Sequence, residues 1–265
     1  MSDNKNKAAI KELGRLIDIL RQLRGPDGCD WDREQTPRSL LPYLLEECYE
    51  VIEAVEEKNS GMLKEELGDL LLHIVFQAEL ALDDNDFHIS DCIRGICDKL
   101  VRRHPQIFNR QNNKGNDTDW ERGSWEKTKQ INKKRDSILD GIPRDLPALA
   151  KASRLQEKAS GIGFDWNDKG PVIDKVYEEF NELKEALDRG SSDDIELEMG
   201  DLFFSMVNLS RHIGYNPEIA LRKSSAKFYR RFVELEGYVK SKDLSIDSMT
   251  IDELDKVWDI IKEKE

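Results

Sequence analysis

The feature that most restricts this chain is an internal duplication. EECYE at 46–50, followed by ELGD at 66–69, returns as EEFNE at 178–182 followed by EMGD at 198–201, so both blocks recur at one displacement of 132 residues. Similar residues bracket the two copies. DWD (30–32) and DWN (165–167) precede the blocks, KLVRR (99–103) and KFYRR (227–231) follow them, and WEKTK (125–129) and WDIIK (258–262) close each copy with a Lys four residues beyond a Trp. A repeat of this length is one folding unit used twice. The 265 residues therefore resolve into an N-terminal unit, 1–135, and a C-terminal unit, 136–265. The bridge between them is the polar stretch NRQNNKGNDTDWERG or the Pro-containing LDGIPRDLP that follows it.

Within each unit the periodicity is helical. Leu41, Leu44, Leu45, Cys48, Val51, Ile52 and Val55 share one helix face. NSG at 59–61 and RGSS at 189–192 then turn into a second helix, and connections this short give antiparallel neighbours. Long alternating β-branched runs are missing, so the expected class is all-α, two tandem helical-bundle units. The second helix of the first unit, EELGDLLLHIVFQAELAL at 65–82, is apolar on nearly every face and is expected to be buried. Gly68 and Gly200 interrupt this helix and its counterpart at a cost of about 0.5–1 kcal/mol relative to alanine, which close approach of a neighbouring helix explains.

Glu66 and Asp69 lie in that apolar helix, and an ionised carboxylate is costly to bury without a partner. The i,i+3 spacing puts Glu47 with Glu50, and Glu66 with Asp69, on one face of their helices; Glu179 with Glu182 and Glu198 with Asp201 repeat the pattern. A hairpin sets the pairs opposite one another. A hard dication, Mg²⁺ with Mn²⁺ as substitute, relieves the repulsion among such oxygens. Zinc, copper and iron suit the set poorly, because no E-x-x-H occurs and His73 is the one histidine at helical spacing beside the acids. EECYE alone fits a solvated helix face; acids inside an apolar helix do not.

Lys99 with Arg103, and Lys227 with Arg231, lie at i,i+4 with Arg102 or Arg230 beside them. Separated helical cations are commonly surface ion-pair partners, but next to a carboxylate–metal cluster they suit a polyphosphate. Trp125 and Trp258 suit stacking on a base, and Lys262 follows Trp258 by one helical turn. A formal charge of −13 argues against broad attraction to nucleic acid. No apolar run reaches the roughly 18 residues of a membrane span, and the first residues show no leader pattern. The expectation is a cytoplasmic protein with no nucleic-acid or membrane partner. Cys29, Cys48, Cys92 and Cys97 form no C-x-x-C pair and no disulfide framework.

The motif EE-x2-E, a spacer and E-x2-D, present twice together with GCDWD, RRHP and VWDIIK, resembles that of the MazG-type nucleoside triphosphate pyrophosphohydrolases over essentially the whole chain. The resemblance implies an all-α homodimer, Mg²⁺ dependence, and hydrolysis of nucleoside triphosphates to monophosphate and pyrophosphate with broad base tolerance. It implies Glu179, Glu182, Glu198 and Asp201 as metal ligands, with Glu47, Glu50, Glu66 and Asp69 as first-unit equivalents. It also implies nucleotide contacts from Lys175, Glu178, Asn208, Lys227, Arg231 and Trp258, which Arg230 and Lys262 extend. Glu178 is the candidate general base. Asn208 corresponds to Phe76 in the first unit, so the main site is expected in the second. Two alternatives stand beside this reading: a non-enzymatic, metal-binding helical dimer with a regulatory or scaffold role, and a base-selective, dUTPase-like housecleaning enzyme.

Overall fold

The computed structural model describes residues 2–108 and 136–264. Every regular element among them is helical, as the periodicity predicts. The chain divides into two compact units, Met1–Asn116 and Asp117–Glu265. The polar bridge at 109–123, residue 135 and the Trp125–Lys129 pair lie outside the described residues.

The first unit holds α1 (Ser2–Leu23), α2 (Asp30–Glu34), α3 (Leu41–Glu56), α4 (Ser60–Asp83), α5 (Ile89–Arg103) and the short α6 (Pro105–Phe108). Pro42 sits in the first turn of α3, where its missing N–H has no helical partner to lose. The turn into α4 is closed by Asn59, whose side chain accepts from the Gly61 and Met62 N–H groups, both at 3.2 Å. This is the usual satisfaction of orphan helix donors. With α3 and α4 packed as a hairpin and α1 against α4, Leu20, Leu40, Val75, Phe76 and Leu80 form the core. Two ion pairs, Arg21–Glu79 at 2.6 Å and Arg24–Asp83 at 2.5 Å, tie α1 to α4.

The second unit holds α7 (Ala148–Ser160), α8 (Lys169–Arg189), α9 (Ser192–His212), α10 (Pro217–Ser241), a 3₁₀ turn (Ile246–Ser248) and α11 (Ile251–Lys262). The Asp168 side chain accepts from the Gly170 N–H at 2.8 Å to start α8. Gly190, at φ +73°, ends it in a left-handed conformation that a Cβ would strain. α8 and α9 pair as the second hairpin, and α7 packs on α9 and α10. Leu235, Val239, Val257 and Ile261 join α10 to α11. Buried Lys158 donates to the carbonyls of Ile138 and Asp140, both at 3.0 Å, and so pins the segment ahead of α7.

Two expectations about burial are corrected. α4 is covered on one side only: Val75, Phe76 and Ala78 are buried, but Leu67, Leu71 and Ile74 are 41–49% exposed. Leu41, Leu45 and Val55 of α3 are exposed as well. The apolar surface of this hairpin exceeds what its own unit covers. Nor does close helix packing within the unit explain the two glycines, since a Cβ at Gly68 or Gly200 would meet nothing within 4 Å.

Candidate active site

Both hairpins gather their acids. Glu47 on α3 with Glu66 and Asp69 on α4, and Glu179 on α8 with Glu198 and Asp201 on α9, each place carboxylate oxygens within 4.8 Å of one another. The fourth acid of each set borders its cluster: Glu50 shares a hydrogen bond with Glu47, and Glu182 with Glu179.

Crowding shows in the protonation of these groups. Burial, followed by the hydrogen bond and charge of Glu50 and the charges of Asp69 and Glu66, pushes Glu47 up to about 7. Desolvation and then the charges of Glu50, Glu65 and Asp69 raise Glu66, while desolvation and then Glu179 raise Glu182. Glu47 Oε2 is buried without a hydrogen-bond partner. Both donor sets consist of carboxylate oxygens, and in the first unit one of them is buried and unpartnered, which fits a hard dication and not a softer metal. In the second unit Lys175 offsets part of the charge. Its ammonium lies 2.7 Å from Glu178 Oε1 and 2.8 Å from Glu179 Oε1, and these hydrogen bonds hold it above the usual lysine range.

Beside the second cluster lies a cavity of about 630 Å³, within the size range of small-molecule sites. Glu179, Asp201 and Lys175 reach it from the acid side, and Phe164, Trp166 and Phe204 give it aromatic walls. A polar relay forms another part. Arg211 donates to both oxygens of Asp165, at 2.7 and 2.6 Å, and His212 Nε2 lies 2.8 Å from Asp165 Oδ1. Burial would raise Asp165, but the hydrogen bonds from Arg211 and His212 outweigh it and hold the carboxyl below its usual range. Arg211 also donates to Asn208 Oδ1 at 2.6 Å. Arginine only donates, so the Asn208 oxygen faces it and the amide nitrogen is left for a ligand.

The remaining candidates are distributed differently. Glu178 is exposed and held by Lys175. Lys227, Arg230 and Arg231 on α10, and Trp258 and Lys262 on α11, are not among the residues lining the cavity. The Trp258 ring packs 5.3 Å from Phe228, and Lys262 pairs with Asp259 at 2.9 Å. Asp165, Arg211, His212 and Gln156 were not expected from sequence. In sequence Asp165 is only a marker of the repeat, and the one further signal is the Arg211–His212 pair that ends α9.

The first unit fills the corresponding space. The displacement of 132 matches Tyr43 with Lys175, Leu72 with Phe204, His73 with Ser205, Phe76 with Asn208 and Glu79 with Arg211. Trp31 meets Tyr43 edge-on at 5.9 Å, Tyr43 stacks on His73 at 6.5 Å, and Phe76 is a buried member of the core. Arg21 closes the region with two hydrogen bonds to Glu79. A smaller hollow of about 250 Å³ in this unit, between His73, Phe87 and Cys92, touches none of the three clustered acids.

The model of the MazG nucleotide pyrophosphohydrolase domain matches residues 35–108 and 171–233, one segment on each acid hairpin. The chain belongs to the MazG family. It is similar to the nucleoside triphosphate pyrophosphohydrolase/pyrophosphatase MazG of Thermotoga maritima, 45% identical over 259 residues that span 96% of this chain and 98% of that protein. It is likewise similar to a nucleoside triphosphate pyrophosphohydrolase of Escherichia coli, 41% identical over 262 residues, 97% of this chain and 99% of that one. An uncharacterized Bacillus subtilis protein, YabN, is 39% identical over 264 residues, 98% of this chain and 54% of its own length. Both MazG segments contain the three clustered acids of their unit. Trp258 and Lys262 lie beyond the second segment.

Proposed function

We propose that this MazG protein hydrolyses nucleoside triphosphates to nucleoside monophosphate and pyrophosphate, with Mg²⁺ and broad base tolerance, at its second unit. One observation carries the choice of unit: the acids of the second hairpin open onto a cavity of about 630 Å³, whereas aromatic and aliphatic side chains fill the same positions in the first. The names of the similar proteins from Thermotoga maritima and Escherichia coli support the reaction.

Glu179, Glu198 and Asp201, with Glu182 beside them, would hold the metal. Bound there, the ion supplies charge neutralisation for phosphate oxygens and a lowered pKa for water. Lys175 keeps Glu178 and Glu179 in place through its two short contacts. Glu178, outside the three clustered acids, orients the attacking water or takes its proton. Lys227, Arg230, Arg231 and Lys262 hold the charge developing on the leaving pyrophosphate, the kind of electrostatic positioning on which phosphoryl transfer relies. The aromatic cavity takes the nucleoside, and Asn208 offers its amide N–H groups. Glu47, Glu66 and Asp69, with Glu50, hold a dication that stabilises the first unit without turnover.

The reading includes a homodimer acting in the cytoplasm. Phe180, Leu197, Met199 and Phe203 on the second hairpin are 38–61% exposed, and Gly200 beside them has open space where a neighbouring helix would fit. A second copy of this chain covers that surface. No helix among the described residues is long and apolar enough to cross a membrane.

Pyrophosphate release from ATP by the full chain tests the function. With Mg²⁺, Glu198→Gln is expected to lower kcat by about 100-fold or more, and Glu66→Gln to leave it within about threefold. Equal losses from both variants would reject the division of labour. Absence of pyrophosphate release would favour the regulatory metal-binding alternative.

A further inference from the structure

Gln156 on α7 lines the cavity and is 8% exposed. Its Nε2 donates to the Phe204 carbonyl at 2.8 Å. A carbonyl only accepts, so the amide cannot be reversed, and Oε1 is left buried with no partner. Buried acceptors are rarely left unpaired in native proteins. Among the cavity-lining side chains it is the one polar atom in that condition. Asn208 is oriented by the same logic, its oxygen held by Arg211 and its nitrogen available. Gln156 thus presents an acceptor and Asn208 a donor, each fixed in polarity by its own hydrogen bond, to the Phe204 carbonyl and from Arg211.

This pattern decides what enters. Phosphate oxygens accept and cannot satisfy Gln156 Oε1. A flat base fits the aromatic surfaces of Phe164, Trp166 and Phe204 and carries N–H donors and acceptors along one edge. The first unit offers a contrast. DWD and DWN fix a displacement of 135 that matches Gln156 with Arg21, and Arg21 hydrogen-bonds Glu79, the counterpart of Arg211. Arg21 and Glu79 satisfy each other, so the position matched to Gln156 holds no acceptor open, although His73 Nδ1 and Glu47 Oε2 elsewhere in that unit stay unpartnered.

We infer that Gln156 is a specificity-determining residue whose Oε1 accepts a hydrogen bond from an N–H on the edge of the bound nucleobase, with Asn208 Nδ2 donating beside it. The inference rests on the triphosphate reading above and deepens it. Adenine and cytosine provide an exocyclic amino group, guanine and uracil a ring imino group, so one fixed acceptor admits all four bases. It selects against a base stripped of its N–H.

The probes are ATP and purine riboside triphosphate, which lacks the amino group, and CTP with its 4-desamino analogue. In the wild-type full chain kcat/KM is expected to favour the amino-bearing member of each pair by about tenfold or more, because the analogue leaves the buried acceptor unpaired. Gln156→Met, similar in length but without the amide, is expected to bring both ratios to within about twofold, by slowing ATP and CTP and not the analogues. Thermal unfolding of the variant checks that loss of the Phe204 hydrogen bond leaves the fold intact, and the wild-type ratios test the inference whether or not the variant folds. Ratios near one in both wild-type pairs overturn it, as do ratios that persist in folded Gln156→Met. Absence of hydrolysis of every nucleotide overturns the pyrophosphohydrolase reading and this one with it, whereas equal hydrolysis of both members overturns this one alone.

Discussion

Replacing Arg21 by Met is expected to destabilise the first unit by about 3 kcal/mol, the low end of what stranding one member of a buried ion pair costs. The Glu79 side chain is 4% exposed and Arg21 46% exposed, so the two halves of the pair are not equivalent. Without Arg21, a carboxylate that accepts at 2.6 and 3.0 Å is left inside the core with no compensating charge. Without Glu79, the guanidinium already reaches water and rehydrates, so Glu79→Gln is expected to cost about 1 kcal/mol. The double change Arg21→Met with Glu79→Leu removes both charges and is expected to cost less than Arg21→Met alone. Because two units make a single global transition a poor measure, native-state hydrogen exchange of α1 and α4 amides in mild denaturant is the suitable assay. Pyrophosphate release should stay unchanged, since Arg21 and Glu79 belong to the unit without the large cavity. A cost for Glu79→Gln equal to or above that of Arg21→Met would refute the asymmetry argument.

Glu178→Gln should lower kcat at least about 100-fold, the low end of a general base's contribution, while Mg²⁺ affinity measured by calorimetry stays near normal; an unchanged kcat removes Glu178 from the mechanism. Asp165→Asn should cost about 2 kcal/mol near neutral pH through loss of the pair with Arg211 and His212. Because the folded carboxyl lies below its unfolded range, that stability is complete above the usual carboxylate range and is lost as pH falls through the lower folded value, so the difference in melting temperature between variant and wild type should close in strong acid. For the proposed homodimer, Gly200→Leu should shift sedimentation from dimer to monomer, because the glycine surface is open within one chain; a dimer that survives it uses another face. Asn208→Phe installs the first-unit residue in the cavity wall, and it should depress kcat/KM about 100-fold or more with Mg²⁺ binding retained, because filling the nucleoside space removes binding without touching the acids. Full activity in a folded Asn208→Phe chain would show that the cavity is not where the nucleoside sits.

Legibility in the sequence followed the range of the interaction. Glu179 and Glu182 share a helix face by local spacing alone, and a short turn sets that face against Glu198 and Asp201, so the acid clusters follow from spacing and a loop length. Arg211 and Asp165 are 46 residues apart; nothing local couples them, and only the packing of the α8–α9 hairpin behind DWN brings them together. The partial burial of α4 is hidden in the sequence for a different reason. An apolar face reads the same whether its cover comes from its own unit or from another surface, and Leu67, Leu71 and Ile74 belong to the part that its own unit leaves open. Gly68 and Gly200 carried the same ambiguity, since a glycine marks space for a close approach without saying which surface arrives.

The two hairpins separate the parts of such a site. Val172 and Leu40, at matched positions, are both buried to within 1%, and Val207 and Val75 likewise, so the hairpin scaffold is common to both copies. The acids are common too. The differences lie one layer out, where Tyr43, His73, Phe76 and Glu79 stand against Lys175, Ser205, Asn208 and Arg211. In the first copy, large side chains and the Arg21–Glu79 pair fill the space; in the second, a cavity remains and hydrogen bonds fix the polarity of Gln156 and Asn208 in its wall. On the proposed reading a carboxylate cluster is cheap to keep after duplication, because a dication alone would compensate it. A nucleotide cavity is not, since it leaves apolar surface and buried polar atoms uncovered whenever the substrate is absent. On that reading, the copy whose side chains fill the space beside the cluster can still retain its acids.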